Sequence, residues 1–142
     1  MFAKQLTVFV ENKLGSLSKV LGVLKENNVN ILSMSLADTT EFGLLRLIVT
    51  NAAVGQEKLS ERGYSALLSD VSIITVSHEV GSLQNLLEAI NEKGVSIEYM
   101  YGLSMDTDKA YVVLKASDAA LIDQILTEHG IKTLSCEDLA KL

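Results

Sequence analysis

Proline does not occur in this sequence of 142 residues, and cysteine occurs once, at Cys136. A single thiol excludes an internal disulfide and a cysteine-rich metal site. Without proline, the turns fall to Gly, Asn, Asp and Ser, which recur at regular intervals. Arginine is confined to Arg46 and Arg62, no basic run exists, and the formal net charge is −6. Polyanion binding rests on clustered Lys and Arg, so nucleic acid is not an expected partner. No apolar run reaches the roughly 18 residues that a membrane helix needs. Residues 1–10 alternate in polarity through Lys4, Gln5 and Thr7, unlike the apolar core and cleavage site of a signal peptide. These absences point to a cytoplasmic protein with no membrane partner.

What the chain does have is a repeat. Displaced by 66 residues, Glu11-Asn-Lys-Leu-Gly-Ser-Leu17 falls on Ser77-His-Glu-Val-Gly-Ser-Leu83. Over residues 10–34, nine of 25 positions are identical in the second copy, among them Gly15/Gly81, Ser16/Ser82, Leu21/Leu87, Ile31/Ile97 and Met34/Met100. Near the end of each copy the displacement becomes 67, where Glu61-Arg-Gly63 falls on Glu128-His-Gly130. The natural division is residues 1–69 and 70–142, with only Ser69-Asp70 between the copies. A unit of this size buries a small core and is marginal alone, so the copies are expected to pack tightly and share one extended sheet.

The local patterns agree between copies. Residues 5–10 and 71–76 are rich in β-branched and aromatic residues and read as strands. Each is followed by Gly-Ser and then apolar residues at helical spacing: Leu17, Val20, Leu21 and Leu24, and Leu83, Leu86, Leu87 and Ile90. Ser16 and Ser82 suit N-caps, and Asn28 and Gly94 suit the left-handed position that ends a helix. Strands follow at 29–37 and 44–50, and at 95–104 and 110–116, joined by turns around 38–43 and 106–109. Second helices at 53–62 and 118–129 stop at Gly63 and Gly130, and short strands at 64–68 and 131–135 close each copy. The order β-α-β-β-α-β, twice, is the ferredoxin-like arrangement. The expected fold class is α+β: two such modules in tandem, antiparallel sheets joined side by side, helices on one face.

At Asn12-Lys-Leu-Gly-Ser-Leu-Ser-Lys-Val-Leu21, followed by Lys25-Glu-Asn-Asn-Val-Asn-Ile31, the sequence resembles the ACT domain family, small regulatory modules that usually bind amino acids. The second copy matches through Val80-Gly-Ser-Leu83 and Gly94-Val-Ser-Ile97. The resemblance spans residues 3–136 and is similar to free-standing tandem ACT proteins. It implies an amino-acid-binding regulatory or sensor protein without catalysis. It also implies that the strand-to-helix loops hold the ligand's carboxylate, with the ligand between the two copies. The first loop then offers Asn12, Lys13, Leu14, Gly15 and Ser16, and the second His78, Glu79, Val80, Gly81 and Ser82. The second strands offer Asn30, Ile31 and Leu32, and Ser96, Ile97 and Glu98. The implied partner is a free L-amino acid; a second copy of the chain or a metabolic enzyme is left open, and no cofactor or metal is implied. Where many family members carry Asp in the loop, this chain has Asn12 and His78. The Glu-Ser-Arg-Pro phrase of phenylalanine-sensing members is replaced by Ser35-Leu-Ala-Asp38.

The loop chemistry has its own reason. A helix's first turn leaves N–H groups unpaired beside a partial positive charge, and glycine lets an anion approach. The same glycines also serve a tight turn and nothing more. His78 is read as a ligand contact or a solvated loop residue, and His129 as a cation suited to a helix end. Cys136 has no histidine near it in sequence and reads as inert. Tyr99 and Tyr101 either line a pocket or interface or pack on the sheet. No catalytic constellation is present, so an enzyme is not expected. The alternative function is a protein–protein interaction or oligomerisation module that uses its exposed strand edges.

Overall fold

A computed structural model describes residues 2–38, 41–77, 79–103 and 109–141. The elements are β1 (Ala3–Glu11), α1 (Ser16–Glu26), β2 (Ile31–Asp38), β3 (Phe42–Val49), α2 (Ala52–Glu61), β4 (Ala66–Val76), α3 (Ser82–Glu92), β5 (Ile97–Leu103), β6 (Ala110–Ala116), α4 (Ala119–Glu128) and α5 (Cys136–Ala140). The chain forms two compact units. One, the first module, is Lys4–Ser69 with Cys136–Leu142; the other, the second module, is Asp70–Ser135 with Met1–Ala3.

In the first module the strands hydrogen-bond in the order β2-β3-β1-β4. Both β1 and β2 run antiparallel to β3, in registers that include Leu6↔Leu47, Val8↔Leu45 and Met34↔Leu47. Alternation then sends Leu6, Val8, Val10, Leu45, Leu47 and Val49 to the face covered by Val20, Val23 and Leu24 of α1 and Leu59 of α2, and these residues form one buried cluster. Each fully buried leucine or valine stabilises the fold by about 1.5–3 kcal/mol. The helices meet closely because position 55 is glycine. A Cβ there would lie 3.0 Å from Leu6 Cδ2 and 3.2 Å from Leu24 Cδ2.

The second module repeats the plan in the order β4-β6-β5. Registers include Ile74↔Val112 and Met100↔Leu114. Its core is Ile74, Leu86, Ile90, Val95, Leu114, Ile122, Ile125 and Leu126, with Phe2 packed against it. The copies agree in detail. Phe9 N–H donates to Ser65 O at 3.1 Å, and Thr75 N–H to Lys132 O at 3.0 Å. Both second strands carry a register irregularity at the same place, between Ile31 and Ser33 and between Ile97 and Tyr99.

The helix ends largely follow expectation. Asn51 and Asp118 cap α2 and α4 by accepting from Val54 N–H (3.2 Å) and Leu121 N–H (3.0 Å). Asn28 and Gly94 take positive φ of 57° and 74°, and Val29 N–H closes back on Leu24 O at 2.9 Å.

Three expectations are corrected, and one element was not expected. Ser16 and Ser82 are not N-caps; Gly15 and Gly81 hold that position in the left-handed conformation, so the serines become the first helical residues. Ser69 and Asp70 form no break, because β4 runs unbroken from Ala66 to Val76 and merges the two strands expected at 64–68 and 71–76. Both residues tolerate extended backbone, and no glycine or proline is present to stop the strand. The strand expected at 131–135 shortens to an isolated bridge, Ile74↔Thr133, supported by Leu134 N–H to Ile73 O at 2.9 Å. After it comes the unforeseen α5, with Glu137 and Asp138 in its first turn. The signal was present: Ser135 three residues ahead of Asp138 is the spacing of a helix start. Its Leu139 is 2 % exposed. His78, Ser104 and residues 106–108 of the expected turn lie outside the described residues.

Candidate functional site

The first strand-to-helix loop leaves β1 at Glu11 and enters α1 at Ser16. Gly15 has φ 83°, and a Cβ added to it would meet nothing within 4 Å. Backbone conformation, not protein packing, therefore calls for glycine here. The left-handed residue turns the first helical amides outward. Ser16 N–H donates to Lys13 O at 3.2 Å, and Lys19 N–H to Gly15 O at 3.1 Å. Between them, the amides of Leu17 and Ser18 have neither a backbone acceptor among the described residues nor a side-chain cap. The second loop copies this geometry: Gly81 has φ 85°, Ser82 N–H donates to Glu79 O at 3.2 Å and Asn85 N–H to Gly81 O at 3.0 Å.

A cleft of about 250 Å³ opens beside the first loop, lined by Val10, Glu11, Asn12, Lys13 and Leu17 and, from the β2–β3 hairpin, Leu36, Ala37, Asp38 and Gly43. The register explains this meeting. Gly43 pairs with both Val10 and Asp38, so the ends of β1, β2 and β3 share one edge of the module. Gly43 also makes room, since a Cβ on it would lie 3.2 Å from Leu36 Cδ1. The Lys13 ammonium sits 2.8 Å from Glu11 Oε2, and both side chains are well exposed. The hydrogen bond from Lys13, and then its charge, hold the Glu11 carboxyl below its ordinary value; the same pair raises Lys13.

The predicted residues divide by place. Asn12 and Lys13 line the cleft. Leu14 projects from the loop tip fully exposed at 104 %, and Val80 does the same in the second copy at 106 %. Asn30 and Ile31 lie at the far end of α1, roughly 16 Å along an 11-residue helix, in a separate depression with Leu21 and Lys25. The Asn30 backbone is held by Thr50, through Asn30 N–H to Thr50 Oγ1 and Thr50 N–H to Asn30 O, each 3.0 Å. Ser96 and Ser117 repeat that exchange at 3.1 and 2.9 Å. Ile31 and Ile97 pack against the two cores, and Leu32 and Glu98 occupy the register irregularities of β2 and β5. Within each module the structure thus groups the loop residues but not the second-strand residues with them. Glu79 borders a different cleft, and His78 is outside the described residues.

Sequence reading missed the hairpin side of the cleft, Leu36, Ala37, Asp38 and Gly43. The strand order carried the signal: in this topology the end of β1 and the β2–β3 turn share an edge. His129 serves its helix end, with Nδ1 2.8 Å from Ile125 O. Tyr99 and Tyr101 stack with centroids 6.4 Å apart. Among the described residues no group of three acidic, His or Cys side chains could hold a metal ion, and no helix is long and apolar enough to cross a membrane.

None of the curated proteins matches the chain. Solved structures do. Protein BT0572 from Bacteroides thetaiotaomicron is 34 % identical over 100 % of this chain and 98 % of its own, with a TM-score of 0.92. The ligand-free regulatory subunit of aspartate kinase from Thermus thermophilus is 17 % identical over 88 % of this chain and 91 % of its own, at TM-score 0.60. The corresponding subunit from Thermus flavus is 16 % identical over 90 % and 93 %, at 0.57. At such identities the last two share the fold alone. The family described as the ACT domain pair matches residues 1–142. With the doubled β-α-β-β core and its two glycine-led helix starts, this chain belongs to the ACT domain pair family.

Proposed function

We propose that the protein is an amino-acid sensor, with the first strand-to-helix loop as a ligand cradle and no catalytic step. The observation that carries this reading is the pair of uncapped amides at Leu17 and Ser18 beside the 250 Å³ cleft. A carboxylate accepts from those amides in the positive field of the helix start and draws on Lys13. Asp38, on the hairpin wall, and Glu11, on the loop side beside Lys13, accept from the ammonium group. Leu36 and Val10 bound the space for the ligand's side chain, and the volume, about eight times that of a liquid water, limits it to a small or medium one. Asp38 takes the part of the acidic loop residue that this chain lacks at Asn12. Gly81 gives the second loop the same backbone, with Glu79 where the first has Lys13, so the two loops differ in preference.

A thermal-shift screen of the common L-amino acids tests the reading. Ligand at about 100 times its dissociation constant stabilises by about 2.7 kcal/mol, enough to raise the Tm by several degrees. Gly15→Asp abolishes the rise, and Asp38→Asn weakens binding by about tenfold, the worth of one charge-assisted hydrogen bond. A parent protein whose Tm moves with no amino acid refutes the proposal.

A second reading, an interaction module, is favoured by the exposed apolar residues of the first module. Met34 and Leu36 of the outer strand β2 are 41 % and 52 % exposed although their ladder partners Leu47 and Leu45 are fully buried. Light scattering across concentrations separates the readings, because a concentration-dependent mass that no amino acid alters favours this one.

A further inference from the structure

The exchanged chain ends serve equivalent places in the two modules and fill them unequally. By the 66- and 67-residue correspondence, Lys4, Val49 and Ala52 of the first module match Asp70, Ala116 and Ala119 of the second. In the second module these three border a space of only about 10 Å³, where Phe2 of the N-terminal segment forms part of the wall and packs on the core. In the first module the matching three border a hollow of about 440 Å³ beneath α5. Each set lies within one unit.

Side-chain size explains the difference. The C-terminal segment brings one buried side chain, Leu139, which is not aromatic. Its neighbour Ala140, and Ala52 and Ala53 at the start of α2, add only methyl groups to the wall, and Val49 and Leu68 extend the apolar lining. No aromatic residue lines the hollow, so the ring-sized space that Phe2 takes up in one module stays open in the other. Ligand pockets span about 300–1,000 Å³, and an apolar cavity of about 150 Å³ already takes up benzene. The hollow is also remote from the amino-acid cradle. Lys4 lies at the start of β1 and Glu11 at its end, roughly 23 Å apart at about 3.3 Å per residue.

We infer that the hollow beneath α5 binds a small aromatic molecule, its ring taking in the first module the place that Phe2 fills in the second. Because α5 forms one wall and the β3–α2 junction another, the ligand also fastens the C-terminal segment to its module.

Titration of the full-length, methyl-labelled chain with benzyl alcohol and, separately, with indole tests the inference by NMR. The methyl signals of Val49, Ala52 and Leu139 move saturably with at least one probe, shifted by the ring current. Ala119, the counterpart of Ala52 beside Phe2, does not move with them. Cys136 is the sole thiol and borders the hollow, so its alkylation by iodoacetamide slows as the probe saturates. Ala140→Phe supplies a ring from the chain itself and weakens binding by at least about tenfold. Ala53→Leu fills the hollow from the other wall and weakens it likewise, whereas Ala120→Leu at the matching position of the second module leaves it unchanged. All three alanines are exposed, so their replacement leaves the fold intact. The inference is overturned if neither probe moves Val49, Ala52 and Leu139, if Ala119 moves with the same midpoint as Ala52, or if Ala140→Phe and Ala53→Leu bind as the parent does. Shifts of Ala52 and Leu139 with chain concentration alone, at twice the mass in light scattering, assign the hollow to a second copy and overturn it as well. The Leu17 and Ser18 amides report on the sensor reading separately.

Discussion

The ion pair of Glu11 and Lys13 illustrates how little a surface contact weighs in the fold and how much it can set a site. Both side chains are more than 70 % exposed, so solvent screens the pair and it adds little to stability. Its effect is on protonation. Glu11 is held low by the lysine's hydrogen bond and charge, so the contact is present above the ordinary glutamate range and is lost as pH falls through the lowered value. Lys13→Met is expected to return the Glu11 carboxyl toward its ordinary value, read by carbon NMR of the labelled carboxyl across an acid titration. An unmoved titration midpoint would detach Lys13 from Glu11 in solution.

Among the elements, α1 and α2 contain glycines that invite opposite outcomes. Gly22 of α1 has open space where a Cβ would go, so Gly22→Ala gains helix propensity and stabilises by about 1 kcal/mol. Gly55 of α2 gains the same propensity on paper but would drive a methyl group to 3.0 Å from Leu6 and 3.2 Å from Leu24. Overpacking of this kind costs about 1–3 kcal/mol, so Gly55→Ala is expected to destabilise by about 1 kcal/mol net. Urea unfolding of the two variants beside the parent measures both signs. Propensity alone predicts that they agree, and the distance to Leu6 makes them differ.

For the whole molecule, sequence order and compact units do not coincide. Residues Cys136–Leu142 belong with Lys4–Ser69, and Met1–Ala3 with Asp70–Ser135. Leu139 is the buried side chain of that returning segment, and α5 borders a 440 Å³ hollow with Lys4, Val49 and Ala52. Leu139→Ala is expected to cost about 2 kcal/mol, the lower end for a buried leucine since a short terminal helix can relax. Chains cut between Ser69 and Asp70 each lose a segment that their module uses. Each half is therefore expected to unfold at lower urea than the intact chain, followed by circular dichroism. A half that keeps the parent's midpoint would deny the exchange of ends any energetic role.

The sequence by itself determined the duplication, the β-α-β-β-α order and the Gly-Ser phrase ahead of each first helix, because these are written in local signals: apolar period, turn residues and the repeated Gly-Ser-Leu. It also made the loop half of the cleft legible at Asn12 and Lys13. Only the tertiary structure decided that Gly15 and Gly81 displace Ser16 and Ser82 from the caps, since a cap is set by the dihedrals of the entering chain as much as by side-chain type. Only it joined residues 64–68 and 71–76 in one strand, sent α5 back to the first module and brought Asp38 and Gly43 to Lys13. These are pairings between residues tens of positions apart. A one-dimensional pattern fixes which face a side chain takes, while register and strand order fix what it faces.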